Sequence, residues 1–173
     1  MKLNFKELLG TVKGFVFDVD GVFSNNVILH PSGDMMRSMN IKDGYAVQYA
    51  VKKGYPIAII TGGASDTVRS RFENLGVTDI YMKSHNKIED FKTFLNKHHL
   101  KPENILYMGD DLPDYEIMSV VGIPVCPADA VTEIKSISKY VSYKTGGEGC
   151  VRDVMEQTLR VQGQWLKPEA FVW

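Results

Sequence analysis

Cysteine is scarce in this chain of 173 residues. The two present, Cys126 and Cys150, are too few for a disulfide framework and are not spaced as zinc ligands. Both read as small apolar packing residues, Cys150 at a helix start. An excess of one charge is also missing, since 20 Lys and Arg face 21 Asp and Glu for a formal net charge of −1. With the cations scattered and not interleaved with aromatics, nucleic acid is not an expected partner. No apolar run approaches the roughly 20 residues of a membrane span, and the segment Met1 to Glu7 lacks a signal-peptide core. A cytoplasmic location without a membrane partner is the expectation. His30, His85, His98 and His99 are not spaced as a ligand set, and surface or loop positions are expected for all four. No repeat or low-complexity segment divides the chain, and 44% hydrophobic content suits one domain over 1–173.

The most telling stretch is Gly14-Phe15-Val16-Phe17-Asp18-Val19-Asp20-Gly21, an apolar run ending in two carboxylates and a glycine. Such a run reads as a buried parallel strand, and the carboxyl end of such a strand is where open α/β sheets place ligands. Asp18 and Asp20 are therefore the first candidates for chemistry, against the plainer reading of a solvated turn. A calcium loop also opens with Asp-x-Asp, but it needs a liganding side chain at the fifth position and Glu at the twelfth. Val22 and Leu29 stand there.

The same design recurs. Pro56-Ile57-Ala58-Ile59-Ile60 runs into Thr61-Gly62-Gly63, and Ile105-Leu106-Tyr107-Met108-Gly109 runs into Asp110-Asp111-Leu112-Pro113-Asp114. Between the first two runs, 26–29 and 34–40 read as a hairpin across His30-Pro31-Ser32-Gly33, within a projecting segment of about 22–40. A helix is expected from Asp43, as its cap, to Lys53, with Gly54 ending it. Further helices are expected from Ser65 to Leu75, from Lys87 to His98, from near Pro113, and from Gly149 to Gln162, with short strands at 79–82 and 122–125. Strands alternating with helices predict an α/β fold: a doubly wound, Rossmann-like parallel sheet.

In such a sheet the strand ends share one edge, so Asp18, Asp20, Thr61 and Asp110 converge there, with Lys87 at the start of a helix after the second run. This ordered set resembles the haloacid dehalogenase superfamily of phosphohydrolases. The resemblance implies that Asp18 is a nucleophile forming an aspartyl phosphate and that Asp20 is the general acid and base. It also implies that Thr61 donates a hydrogen bond to a phosphoryl oxygen, that Lys87 balances its charge and orients Asp18, and that Mg²⁺ is held by Asp18, the backbone carbonyl of Asp20, and Asp110. Asp111 is expected behind the metal ligands and Asp114 as a cap or support. Without the resemblance, Thr61 is a strand-end hydroxyl, Lys87 a first-turn residue, and Asp111 and Asp114 helix caps.

Asp43-Gly44-Tyr45, Asn74-Leu75-Gly76-Val77, Gly109 to Asp114 and Gly146-Gly147-Glu148-Gly149-Cys150-Val151-Arg152-Asp153 narrow the likeness. They are similar to the capless branch that dephosphorylates 3-deoxy-D-manno-octulosonate 8-phosphate, with close relatives acting on nine-carbon keto acid 9-phosphates. Two departures stand out: the octulosonate enzymes commonly carry Arg where this chain has Gly63 and where it has Glu148. The implied substrate is a phosphorylated sugar acid. Gly62, Arg69 and Arg152 are candidates to bind it, and Lys83 and Lys144 are further cations available to its carboxylate. A non-catalytic scaffold for a sugar-activating enzyme would not need Asp18, Asp20, Lys87 and Asp110. A receiver domain would carry its acidic pair and phosphoacceptor on other strands.

Only a hairpin and one helix separate Asp20 from Thr61, so no cap domain is expected. The hairpin residues Val27, Ile28, Leu29, Met35, Met36 and Met39 are apolar for a solvated flap. The expectation is a homo-oligomer, a tetramer, with hairpins pairing between subunits, against a hairpin folded onto its own core. The aromatic tail, about 165–173, is expected to reach a neighbour's site mouth.

Overall fold

The structure is a computed structural model that describes residues 4–33 and 35–172. Met1 to Leu3, Asp34 of the expected hairpin and Trp173 of the expected tail lie outside the described residues. The chain opens with helix α1 (Phe5–Leu9), started by a reciprocal box in which Asn4 and Glu7 each accept from the other's backbone N–H. Strand β1 (Gly14–Phe17) follows, buried at every residue. A separate antiparallel ribbon, β2 (Val27–Leu29) with β3 (Met35–Arg37), pairs Val27 with Arg37, Ile28 with Met36 and Leu29 with Met35. Helix α2 (Ile41–Lys52) leads to β4 (Ile57–Ile60), and α3 (Asp66–Asn74) to β5 (Asp79–Tyr81). Helix α4 (Lys87–His98), β6 (Ile105–Met108), α5 (Tyr115–Val120), β7 (Ile123–Cys126), α6 (Thr132–Ile137), β8 (Tyr140–Val141) and α7 (Cys150–Val161) complete the order.

Six strands form one sheet in the order β5-β4-β1-β6-β7-β8, and every pair is parallel. Alternation along β1 sends Phe15 and Phe17 to one face, where α1, α2, α3 and α7 pack, and Val16 to the other, covered by α4, α5 and α6. The chain leaves β1 toward β4 and β5, then returns to β6 on its other side. That reversal opens a crevice at the carboxyl end of β1, the usual ligand position in such folds. No cap domain is inserted. No helix among the described residues is long and apolar enough to cross a membrane.

Three details differ from expectation. Asn40, not Asp43, caps α2, its side chain accepting from the Lys42 N–H at 2.8 Å. Asp43 instead turns inward and is fully buried. His98 is not a simple surface residue: its ring nitrogen lies 2.8 Å from buried Asp79, which also meets Lys97 at 2.7 Å. The tail is held to its own chain at several points, with Phe171 and Val172 left exposed. Tyr49 Oη donates to the Gln164 carbonyl at 2.8 Å, Lys53 pairs with Glu169 at 2.9 Å, and Tyr45 donates to the Ala170 carbonyl, so the tail lies along α2 of its own chain. The ribbon does project, with Val27, Ile28, Leu29, Met35 and Met36 all exposed.

Candidate active site

β1 ends where its last apolar residue gives way to Asp18, whose N–H donates to the Met108 carbonyl of β6 at 3.1 Å. This bond fixes Asp18 beside the carboxyl end of β6, from which the chain continues into Asp110. Gly21 has φ +87°, and the Asp110 carboxylate is pressed so closely against it that no Cβ fits. The peptide between Asp20 and Gly21 thus lies against Asp110. Asp18, Asp110 and Asp114 each place a carboxylate oxygen within 4.8 Å of the others.

Asp114 is the hub of this group and is completely buried. One of its oxygens accepts from Lys87 Nζ at 2.7 Å and from Tyr107 Oη at 2.6 Å, and the other accepts from the Asp110 N–H at 3.1 Å. Lys87 Nζ also lies 3.1 Å from Asp18. Burial, then the charge of Asp114, pushes the Asp18 carboxyl up to about 7. Burial and the charges of Asp114 and Asp111 do the same to Asp110, also to about 7. Burial opposes the charge on Lys87, but Asp18 and Asp114 outweigh it and hold the ammonium above its ordinary value.

Three carboxylates against one ammonium leave excess negative charge in a buried space. An all-oxygen donor set of this kind suits a hard divalent cation such as Mg²⁺. Asp114 has spent its oxygens on Lys87, Tyr107 and Asp110, so Asp18 and Asp110 are the side chains left to hold such an ion. Asp111 is exposed and accepts from the Leu112 N–H at 2.7 Å, which caps the 3₁₀ turn Leu112–Asp114 and keeps it outside the group.

Thr61 is buried at the end of β4, and its hydroxyl accepts from the Gly63 N–H at 3.2 Å. Gly62 is exposed with open space in front of its Cα. Asp20 is gripped by Arg37 of β3, with Nε 2.6 Å from Oδ1 and Nη2 3.0 Å from Oδ2. A Cβ on Gly63 would lie 3.2 Å from that Nη2, 3.4 Å from Asp20 Oδ2 and 3.5 Å from Thr61 Oγ1. Arg37 therefore occupies the space in front of Gly63.

The remaining candidates sit farther out. Arg69 Nη2 donates to the Ile80 carbonyl at 3.4 Å and its Nη1 lies 3.9 Å from Glu73, so its guanidinium faces β5. Arg152 pairs with Glu156 at 2.7 Å and lies over the Trp165 ring at 4.5 Å. Arg152, Lys144, Lys42 and Asn40 line a cavity of about 550 Å³ beside the glycine loop, which reaches the site where Gly146 packs on the Gly21 backbone. The Arg152 N–H donates to Asp43 Oδ1 at 2.6 Å, tying α7 to α2. Burial pushes the Asp43 carboxyl up to about 6, and its Oδ2 has no partner.

Sequence reasoning missed three residues of this arrangement: Arg37, Tyr107 and the inward Asp43. Arg37 is the one cation in two otherwise apolar ribbon strands, and Tyr107 the one hydroxyl in an aliphatic buried strand. Those oddities were the available signals.

Residues 65–152 match the haloacid dehalogenase-like hydrolase family. The chain is 36% identical over 154 residues to the 3-deoxy-D-manno-octulosonate 8-phosphate phosphatase KdsC of Escherichia coli, covering 88% of this chain and 82% of the relative. Among solved structures, the phosphatase of that name from Yersinia pestis superposes with a TM-score of 0.90 at 30% identity, over 92% of this chain and 87% of the other. The enzyme of the same name from Moraxella catarrhalis, solved with magnesium ion, phosphate ion and KDO, gives 0.89 at 29% identity over 97% and 95%.

Proposed function

Because the chain belongs to the haloacid dehalogenase-like hydrolases, and within them to the family of the octulosonate 8-phosphate phosphatases, we propose that it hydrolyses 3-deoxy-D-manno-octulosonate 8-phosphate to the sugar acid and phosphate. The observation that carries this reading is the buried network in which Lys87 joins Asp18 to Asp114 and Asp114 holds Asp110. It supports a phosphoric monoester hydrolase with the full charge machinery for a dianionic substrate; we read the chain as one such unit and the cytoplasm as its location.

A carboxylate approaching a phosphate dianion meets repulsion of about 1 kcal/mol per charge pair at 4 Å in water and about 4 kcal/mol at an effective dielectric near 20. Lys87 offsets part of it, 3.1 Å from Asp18. An Asp18 oxygen attacks phosphorus, forming an aspartyl phosphate as the bond to the sugar oxygen breaks. Asp20 gives its proton to the departing alkoxide, then takes one from the water that attacks phosphorus and returns Asp18 to a carboxylate. Thr61 donates its hydroxyl hydrogen to a phosphoryl oxygen, and the exposed backbone at Gly62 lies open to the same group. Asp18, the Asp20 carbonyl and Asp110 would hold Mg²⁺, which would supply charge neutralisation. Asp114 positions Lys87 and Asp110, while Asp111 caps the turn that carries Asp114. Arg152 and Lys144 line the 550 Å³ cavity and are the cations proposed for the substrate carboxylate; Arg69 is turned toward β5.

The exposed apolar ribbon supports assembly into a homo-oligomer, a tetramer, with ribbons packed between subunits. The substrate test is a panel of eight- and nine-carbon keto acid phosphates compared by kcat/KM with and without Mg²⁺. The octulosonate ester should lead the panel and require the metal. A nine-carbon 9-phosphate turned over at least tenfold better would replace it as substrate, and no hydrolysis of any member would end the phosphatase reading.

A further inference from the structure

The geometry points to Arg37 as a catalytic residue that changes partners during turnover, leaving Asp20 to take hold of the phosphoryl group. The inference rests on the phosphatase reading and adds a residue that reading did not use. Arg37 sits at the base of the ribbon, opposite Val27, and its side chain is only 4% exposed whereas that of Asp20 is 41% exposed. Its donors are committed: Nε and Nη2 to the two oxygens of Asp20, and Nη1 to the Met35 carbonyl at 3.0 Å.

A two-pronged grip of this kind orients a carboxylate well, but it occupies both oxygens as acceptors. In this arrangement each oxygen of Asp20 already accepts from Arg37. To protonate an alkoxide it must loosen at least one prong, and the freed guanidinium then needs another anion. The phosphoryl group is that anion. Gly63 has no side chain, and Arg37 Nη2 occupies the space in front of it, bordered by the Thr61 hydroxyl and Asp20 Oδ2. Arg37, Thr61, Gly63 and Ser65 line one cleft there that has no room for a water while Arg37 holds Asp20. A phosphate seated against Thr61 thus lies beside the guanidinium, and its dianion competes for the fork against the single charge of Asp20. Substrate arrival exchanges Arg37 from acid to phosphoryl oxygen, frees Asp20, and draws the base of the ribbon onto the site.

The test uses probes that do not depend on the sugar. Inhibition of 4-nitrophenyl phosphate hydrolysis by inorganic phosphate and by orthovanadate is measured for the whole protein and for Arg37→Gln and Arg37→Lys. Arg37→Gln should weaken both inhibitors by about tenfold or more, with Arg37→Lys in between because charge survives and the fork is lost. Thermal melts of both variants identify any loss of fold, and circular dichroism of Arg37→Lys serves as the folded reference. Inhibition constants unchanged within twofold in a folded Arg37→Gln would overturn the proposal, since Arg37 would then serve only to tie the ribbon to Asp20. Failure of wild type on octulosonate phosphate, with inhibition still dependent on Arg37, would instead remove the substrate assignment alone.

Discussion

Replacing Asp114 by Asn keeps the shape of the side chain and removes its charge, which makes it a sharp probe of the buried network. The carboxylate now serves three donors, with Lys87 Nζ and Tyr107 Oη on one oxygen and the Asp110 N–H on the other. An amide has one oxygen. If that oxygen faces Lys87 and Tyr107, the amide hydrogens confront the Asp110 N–H; if it faces Asp110, they confront a buried ammonium. An unsatisfied buried donor costs about 1–3 kcal/mol, and removing one partner of a buried ion pair about 3–5 kcal/mol. Two effects reduce the sum: Asp18 still lies 3.1 Å from Lys87, and the loss of one carboxylate relieves the repulsion that raises Asp18 and Asp110. A net loss of about 2–4 kcal/mol is expected, or a fall in Tm of about 5–15 °C for a chain of this length. The assay is urea and thermal unfolding in chelator, followed by a Mg²⁺ titration of activity, in which the variant should need more metal because Asp110 has lost its anchor. Stability within about 0.5 kcal/mol of wild type, on the scale of an ordinary surface substitution, with an unchanged Mg²⁺ requirement would refute the reasoning.

Chelator should abolish turnover and Mg²⁺ restore it, with Ca²⁺ a poor substitute because its looser coordination misplaces the attacked phosphorus; full activity in chelator would contradict the donor set. Asp43 carries a pH dependence of definite sign. Its folded value of about 6 lies above the ordinary 3.8, so its contribution is most favourable below pH 3.8 and is lost as pH rises through 6, a cost of about 3 kcal/mol at pH 8. Asp43→Asn keeps an acceptor for the Arg152 N–H and should therefore be more stable than wild type at pH 8 but not at pH 4, as read by urea unfolding. A variant less stable at pH 8 would show that the charge is a net benefit to α7. Leu29→Lys, at a ribbon residue 77% exposed, should shift the mass measured by light scattering from tetramer toward monomer. An active wild-type monomer at assay concentration would defeat the assembly.

Periodicity and punctuation made most of the architecture legible. The buried strands appear as apolar runs ending in polar residues, and α4 has the bounds its sequence suggests, Lys87–His98. The ribbon is visible from the Pro-Ser-Gly turn. What escaped depends on packing between distant segments. Asn40 and Asp43 are equally good caps locally, and only the approach of α7 draws Asp43 inward. β8 has two residues, too few to show a period. The Arg37 fork joins residues 17 apart, and the Lys87–Asp114 pair residues 27 apart, so neither leaves a spacing to read. Trp165 packs on Tyr49 and under Arg152 within its own chain, a contact its position near the terminus does not reveal.

The central claim is that Asp18 carries the phosphoryl group, and acid-quenching the protein during turnover with Mg²⁺ and substrate tests it directly. Mass spectrometry of the peptide containing Asp18 should show one added phosphoryl group on that residue, appearing and decaying with substrate consumption, and none in Asp18→Asn, which should also release no phosphate. Hydrolysis that proceeds with no phosphorylated Asp18 at any time point, or Asp18→Asn turning over within about tenfold of wild type, would contradict the account.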